Sequence, residues 1–222
     1  MKQSVLKQER AERYSDTEIS YRTYNLVIGF VVLSGIIVNV VMAATLMEPI
    51  LSMSATALGV IDLVGSLGFY FITRLSRNPM VSYAAFLGMS CVFGLTITWS
   101  IAGLNAGTVL IAFIMTGLVT AIMLVLSAAF PEFFLSLGKV LFITLLCSVV
   151  VDLVFYFVLG FDLTILDFAY VLIFSGYIGY DWAKAQQYPR TYDNAVDSAA
   201  DLYWDIVLLF LNLLSIFGGA DD

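Results

Sequence analysis

Apolar residues run unbroken along this chain for roughly 20 positions at a time, the length a helix needs to cross about 30 Å of hydrocarbon. Seven such runs stand out, at about 24–47, 53–74, 80–102, 106–130, 137–159, 163–184 and 199–218. The breaks between them read "MEPILS", "SRNP", "GLNAG", "FPEFF", "LGFD" and "QQYPRTYDNAVDS". Gly and Pro mark most of these as turns, and the sixth is the longest. The pattern predicts an all-α, polytopic membrane protein. A polar cytosolic arm (1–22) precedes a seven-transmembrane helix bundle (23–222), with no soluble domain, internal repeat or low-complexity segment.

Composition agrees. Of 222 residues, 61% are hydrophobic and 12% charged, whereas soluble domains are nearer half apolar and a quarter charged. The arm mixes Lys2, Lys7, Arg10, Arg13 and Arg22 with Glu9, Glu12, Asp16 and Glu18. It does not resemble a secretory signal, because no short apolar stretch with a small-residue cleavage site follows. Beyond it, Arg74 and Arg77 follow the second run, Lys139 the fourth, and Lys184 and Arg190 lie at the end of the sixth. The alternate breaks and the C-terminus carry no Lys or Arg. Basic residues favour the cytoplasmic side, so the N-terminus is expected inside and the C-terminus outside. Trp99 and Trp182 fall near run ends, where interfacial aromatics belong.

Several classes of function drop out. The net charge is −7 with no basic patch, which argues against nucleic acid. Cys91 and Cys147 lie inside apolar runs and read as small buried hydrophobes rather than a disulfide or metal pair. Without histidine there is no Ser–His protease, His-ligated zinc or His-ligated haem. No catalytic frame for an intramembrane hydrolase is recognisable, and the last span has no lysine for a retinal Schiff base. The chain is therefore read as a non-enzyme without cofactor. The short arm and lack of organellar signals point to a bacterial inner (plasma) membrane.

What remains is a set of acids inside apolar runs, where charge costs several kcal/mol and usually faces the bundle interior. Asp167 and Asp201 sit in the first turn of their spans, Asp201 in a capping box with Ser198. Asp62, Asp152, Asp181 and Asp205 lie deeper. Asp197, Asp201 and Asp205 are spaced by four and share a helical stripe. Asp181, near the inner end of span 6, has a local alternative in an i,i+3 pair with Lys184. Its sharper reading is a carboxylate pair with Asp205 in the inner part of span 7. Two close carboxylates titrate as a unit, so a shared proton would join the helices and its loss would drive them apart. Arg74 reads as a snorkelling arginine or as a rival partner for Asp181. Asp62, Asp152 and Asp201 are candidates for an ion path. Asn39 and Asn212 are candidates for polar contacts between helices.

At "GYDWAKAQ" and "LYWDIVLLFLNLLSIFGG" the chain resembles the Bax inhibitor-1 family, also called the transmembrane Bax inhibitor motif family. Tyr180 and Asp181 match the end of its sixth span. Leu202, Tyr203, Asp205, Leu209, Phe210, Leu213, Leu214 and Gly218 match the signature of its seventh. Ile206, Val207 and Leu208 depart from the family's Phe-Ile-Asn. The resemblance implies a pH-sensitive calcium leak with a paired-aspartate sensor at Asp181 and Asp205. By position rather than motif, it also implies an arginine latch at Arg74. Ca²⁺ takes oxygen ligands such as carboxylates, so Asp181 and Asp205 are the candidate metal-contacting residues and calcium or another cation the permeant. Two alternatives stand beside this reading: a membrane interaction protein modulating a membrane protease or cell-death partner, and a proton-coupled transporter.

Overall fold

The structure, a computed structural model, describes residues 18–159 and 164–219. Most of the expected polar arm therefore lies outside the described residues. Those residues fold as helices α1 (Tyr21–Thr45), α2 (Met47–Leu51), α3 (Ala55–Leu75), α4 (Pro79–Ile101), α5 (Ala106–Ala129), α6 (Pro131–Val154), α7 (Thr164–Ala185) and α8 (Tyr192–Gly218). A turn of π-helix, Phe155–Leu159, extends α6.

Polar residues in the breaks set the helix starts. The hydroxyls of Ser20 and Ser54 accept the amides of Thr23 and Ala57 at the N-termini of α1 and α3. The side chains of Asn78 and Asn105 accept the amides of Met80 and Gly107 for α4 and α5. Each satisfies one donor that a first turn would otherwise leave orphaned. Pro79 and Pro131 stand in the first turns of α4 and α6, where their missing N–H does no harm. Gly103, with φ of 83°, makes the turn between α4 and α5 in a conformation that side-chain-bearing residues rarely adopt.

Three boundaries differ from those expected. "MEPILS" holds the short helix α2. Between α5 and α6 only Phe130 intervenes, since Pro131 begins a helix expected at 137. The long sixth break is mostly helix: α8 starts at Tyr192 instead of 199, with the Asn194 amide donating 3.1 Å to the Thr191 hydroxyl. Ser198 is thus inside α8 and donates back to the Asn194 carbonyl at 2.7 Å. The Ser198–Asp201 capping box is corrected accordingly.

Six helices, α1, α3, α4, α5, α6 and α8, are long and apolar enough to cross a membrane. The 22-residue α7 has the length but carries Asp167, Asp181 and Lys184 and falls outside that set. Outward faces carry Phe30, Leu63, Val125 and Phe142, all exposed, as a lipid-facing surface requires.

The chain divides into two compact units, residues up to 102 with 185–203, and residues 103–184 with those from 204 onward. In the first unit, α1 and α3 pack on α4. The Tyr203 ring stands edge-on to Phe86 and Phe93, with centroids 5.1 and 6.0 Å away. Gly35 leaves room for it, since a β-carbon there would lie 2.7 Å from the Tyr203 ring. Asn39 donates 2.8 Å to the Ser90 carbonyl and accepts 2.6 Å from the Tyr203 hydroxyl, so it does link helices. In the second unit, Gly179 of α7 lies against the Phe134 ring of α6, and its carbonyl accepts a 2.5 Å bond from Ser127 of α5. Asn212, expected to link helices, donates 2.7 Å to the Leu208 carbonyl of its own helix. Cys91 and Cys147 are free thiols, exposed on helix surfaces rather than buried as expected.

Candidate functional site

α8 carries buried acids in each of the two units. Its first half belongs to the first unit and presents Asp193, Asp197 and Asp201 at successive i,i+4 positions, all buried. Arg74, near the C-terminus of α3, meets two of them. Its guanidinium lies 3.1 Å from Asp201 and 3.6 Å from Asp197. The Tyr70 hydroxyl donates to the other Asp201 oxygen at 2.9 Å, and the guanidinium lies 5.6 Å from the Tyr70 ring centroid. One turn back on α8, Asp193 accepts 2.8 Å from Ser82 at the start of α4. Ser82 and Thr73 also bond to each other's carbonyls, at 3.3 and 3.4 Å, joining α3 to α4.

The connection before α8 is held from the other side. The Tyr24 hydroxyl of α1 lies 3.1 Å from the Ala185 carbonyl, 3.4 Å from that of Asn194 and 3.2 Å from the Ser198 hydroxyl. Gln186 donates 3.1 Å to Asn25, and the Arg190 guanidinium stands 5.3 Å from the Tyr21 ring. Asn194 closes the connection by donating 2.8 Å to the Pro189 carbonyl.

The second unit contains Asp181 of α7 and Asp205 of α8, 9% and 6% exposed. Lys184 donates 3.2 Å to Asp181 one turn along the same helix, and its ammonium lies 5.4 Å from the Tyr180 ring. The local Asp181–Lys184 pair read from the sequence is thus present. Tyr177, one turn before Asp181, lies within electrostatic reach of both carboxylates. Elsewhere in this unit the Tyr170 hydroxyl donates 3.3 Å to Asp152, and Ser215 donates 2.6 Å to Asp167. Asp167 lies in the first turn of α7, where the helix dipole favours negative charge.

Arg74, expected as a rival partner for Asp181, is engaged by Asp197 and Asp201 of its own unit. Asp201 is the acceptor of an ion pair rather than a helix cap. Asp62, in the first unit, is half-buried on α3, beside Thr96 of α4. Among the described residues no three His, Cys, Asp or Glu side chains gather closely enough to hold a metal ion.

A family model described as inhibitor of apoptosis-promoting Bax1 matches residues 18–222. The chain belongs to the Bax inhibitor family. Within this Bax inhibitor chain the match takes in both acid groups and every described helix. An uncharacterized protein of Helicobacter pylori strain J99 is 33% identical over 124 residues, covering 55% of this chain and 53% of the relative. One from H. pylori strain 26695 is 32% identical over 124 residues, with the same coverage. The chain thus spans about half the length of the curated relatives it matches.

Reading the sequence missed Asp193 as a member of the acid stripe. The signal was present, because residues 193, 197, 201 and 205 are all aspartate at one-turn spacing. It was hidden by placing the start of the last helix seven residues late.

Proposed function

We propose that this Bax inhibitor family chain is a pH-sensitive cation leak pathway, with Ca²⁺ as permeant, gated by Asp181 and Asp205. The observation that carries the reading is the burial of two carboxylates, on α7 and α8 of one unit, both acting on the Tyr177 hydroxyl. In low dielectric two such groups do not ionise independently. In acid the pair holds a shared proton that draws the helices together; as pH rises both ionise and repel. Two carboxylates fall well short of the 6–8 oxygens that Ca²⁺ takes. Calcium is therefore cargo in this reading, met in passing by acid groups and water, and not a resident ion.

The pathway requires α7 to span alongside the six strongly apolar helices, giving seven spans. Its acids support this, since Asp167 accepts from Ser215 and Asp181 from Lys184. Paired in this way, polar groups are tolerated inside a bundle. Arg74, Arg77, Lys139, Lys184 and Arg190 would then share the cytoplasmic side with the N-terminus. The membrane is proposed to be a bacterial plasma membrane, in keeping with the H. pylori relatives.

Calcium flux into proteoliposomes, followed across pH, tests the reading. The wild-type chain is expected to pass Ca²⁺ at a pH-dependent rate. Asp181→Asn and Asp205→Asn are each expected to flatten that dependence. Unaltered flux and unaltered pH response in both variants would overturn the gating role.

A further inference from the structure

The chain brings a cation of its own to one member of the acid pair proposed as the gate. We propose that Lys184 is a tethered competitor for the permeant cation. Its ammonium occupies Asp181, and an ion passing the site must displace it. Lys184 thereby sets the cation concentration at which the leak fills. This role rests on the leak reading above and gives that site a built-in competitor.

Lys184 stands three residues after Asp181 and four after Tyr180 on α7, so the three side chains share one helix face. Its Nζ lies 3.2 Å from an Asp181 oxygen and 5.4 Å from the Tyr180 ring centroid. A carboxylate and an aromatic face are both groups that attract an ammonium. The Tyr180 ring is itself held in place. Gly138 of α6 lies so close that a β-carbon there would stand 2.6 Å from it. The Tyr177 ring meets it edge-on, with centroids 6.3 Å apart. The Tyr177 hydroxyl feels Asp181, Asp205, Tyr180 and Lys184 together, which puts both acids and the ammonium in one neighbourhood. All of these residues belong to the second unit.

Burial decides what the ammonium does there. The Lys184 side chain is 21% exposed and that of Asp181 11%. The contact is thus partly withdrawn from water, while the lysine keeps a way out to it. A lysine is a hydrated point charge on a flexible four-carbon stem, so it exchanges between carboxylate and water more readily than a guanidinium fork locked on two oxygens. An ammonium and Ca²⁺ seek the same carboxylate oxygens. When an acceptor is available for only a fraction of the time, the apparent affinity for a second ligand falls by that fraction. Lys184 therefore weakens cation capture at Asp181 without closing the site.

Two titrations on the full-length chain test this. The first uses Tb³⁺, a hard cation that takes oxygen ligands as Ca²⁺ does, excited through neighbouring tyrosines in the detergent-solubilised protein. The part of the luminescence that Asp181→Asn abolishes reports the site. Its midpoint is expected about tenfold lower in Lys184→Met than in the wild type, the shift for a carboxylate that is occupied about nine-tenths of the time. Lys184→Arg, which keeps the charge, should stay near the wild-type midpoint. The second follows Ca²⁺ flux in proteoliposomes against Ca²⁺ concentration. Half-saturation should fall by about tenfold in K184M with the maximal rate retained. An unmoved K184M midpoint, a K184R midpoint moved as far as that of K184M, or no D181N-sensitive luminescence in any variant would overturn the competitor. A wild-type chain that passes no cation would remove the leak reading and leave the Tb³⁺ titration to decide the role of Lys184. Normal wild-type flux with an unmoved K184M midpoint would remove that role alone. Should K184M not fold, Lys184→Gln replaces it in both titrations, with the same expected shift.

Discussion

The two acid sites of this chain solve one problem in different ways. In the first unit, Asp197 and Asp201 are neutralised by Arg74, which comes from a helix more than a hundred residues earlier in the chain. In the second, Asp181 is served by Lys184, three residues away on its own helix and partly exposed. A long-range pair welds helices together, and breaking it separates them. A local pair constrains only its own helix. The first site therefore has the character of a fastening between helices, and the ion pair of the second lies within one helix. α8 carries acids of both.

Substitutions should expose this contrast on a graded scale. Arg74→Gln strands two buried carboxylates and is expected to destabilise the detergent-solubilised chain by about 3–5 kcal/mol. Asp201→Asn keeps an acceptor for Tyr70 and leaves Arg74 with Asp197, so about 2 kcal/mol is expected, near the worth of a charged hydrogen bond. Tyr70→Phe removes one hydroxyl from Asp201 and should cost about 1 kcal/mol. Lys184→Met removes a partly exposed local partner and should change stability by less than about 1 kcal/mol. Each is read by denaturant or thermal unfolding in the same detergent. A Lys184→Met effect as large as that of Arg74→Gln would erase the distinction between the sites.

The helices were legible in the sequence because a membrane demands unbroken apolar length and satisfied backbone groups. Six of the seven expected runs became strongly apolar helices, and Asn78 and Asn105 capped theirs in the expected breaks. The start of α8 was misjudged for an identifiable reason. "TYDNAVDS" is polar enough to read as a loop, yet its aspartates lie on one helical face and are satisfied by Ser82 and Arg74 from other helices. A polar helix turn buried by tertiary partners looks like a turn in sequence. The same error made Asp201 a cap and left Arg74 without its partners. Asp181 with Lys184 was legible because its partner is local, and i,i+3 spacing on a helix is visible in the sequence itself. The outward placement of Cys91 and Cys147 was not legible, because in a lipid-facing chain apolar surroundings in sequence do not distinguish the core from the membrane surface.

The proposed gate places the pH dependence of the leak on Asp181 and Asp205. Its most direct test sets Asp205→Asn beside Asp201→Asn, two identical chemical changes one turn apart on α8, and follows Ca²⁺ flux in proteoliposomes through a pH titration. D205N should flatten the profile, whereas D201N, at the ion pair with Arg74, should leave a pH-dependent profile. A flattened profile in D201N, with an intact one in D205N, would contradict it.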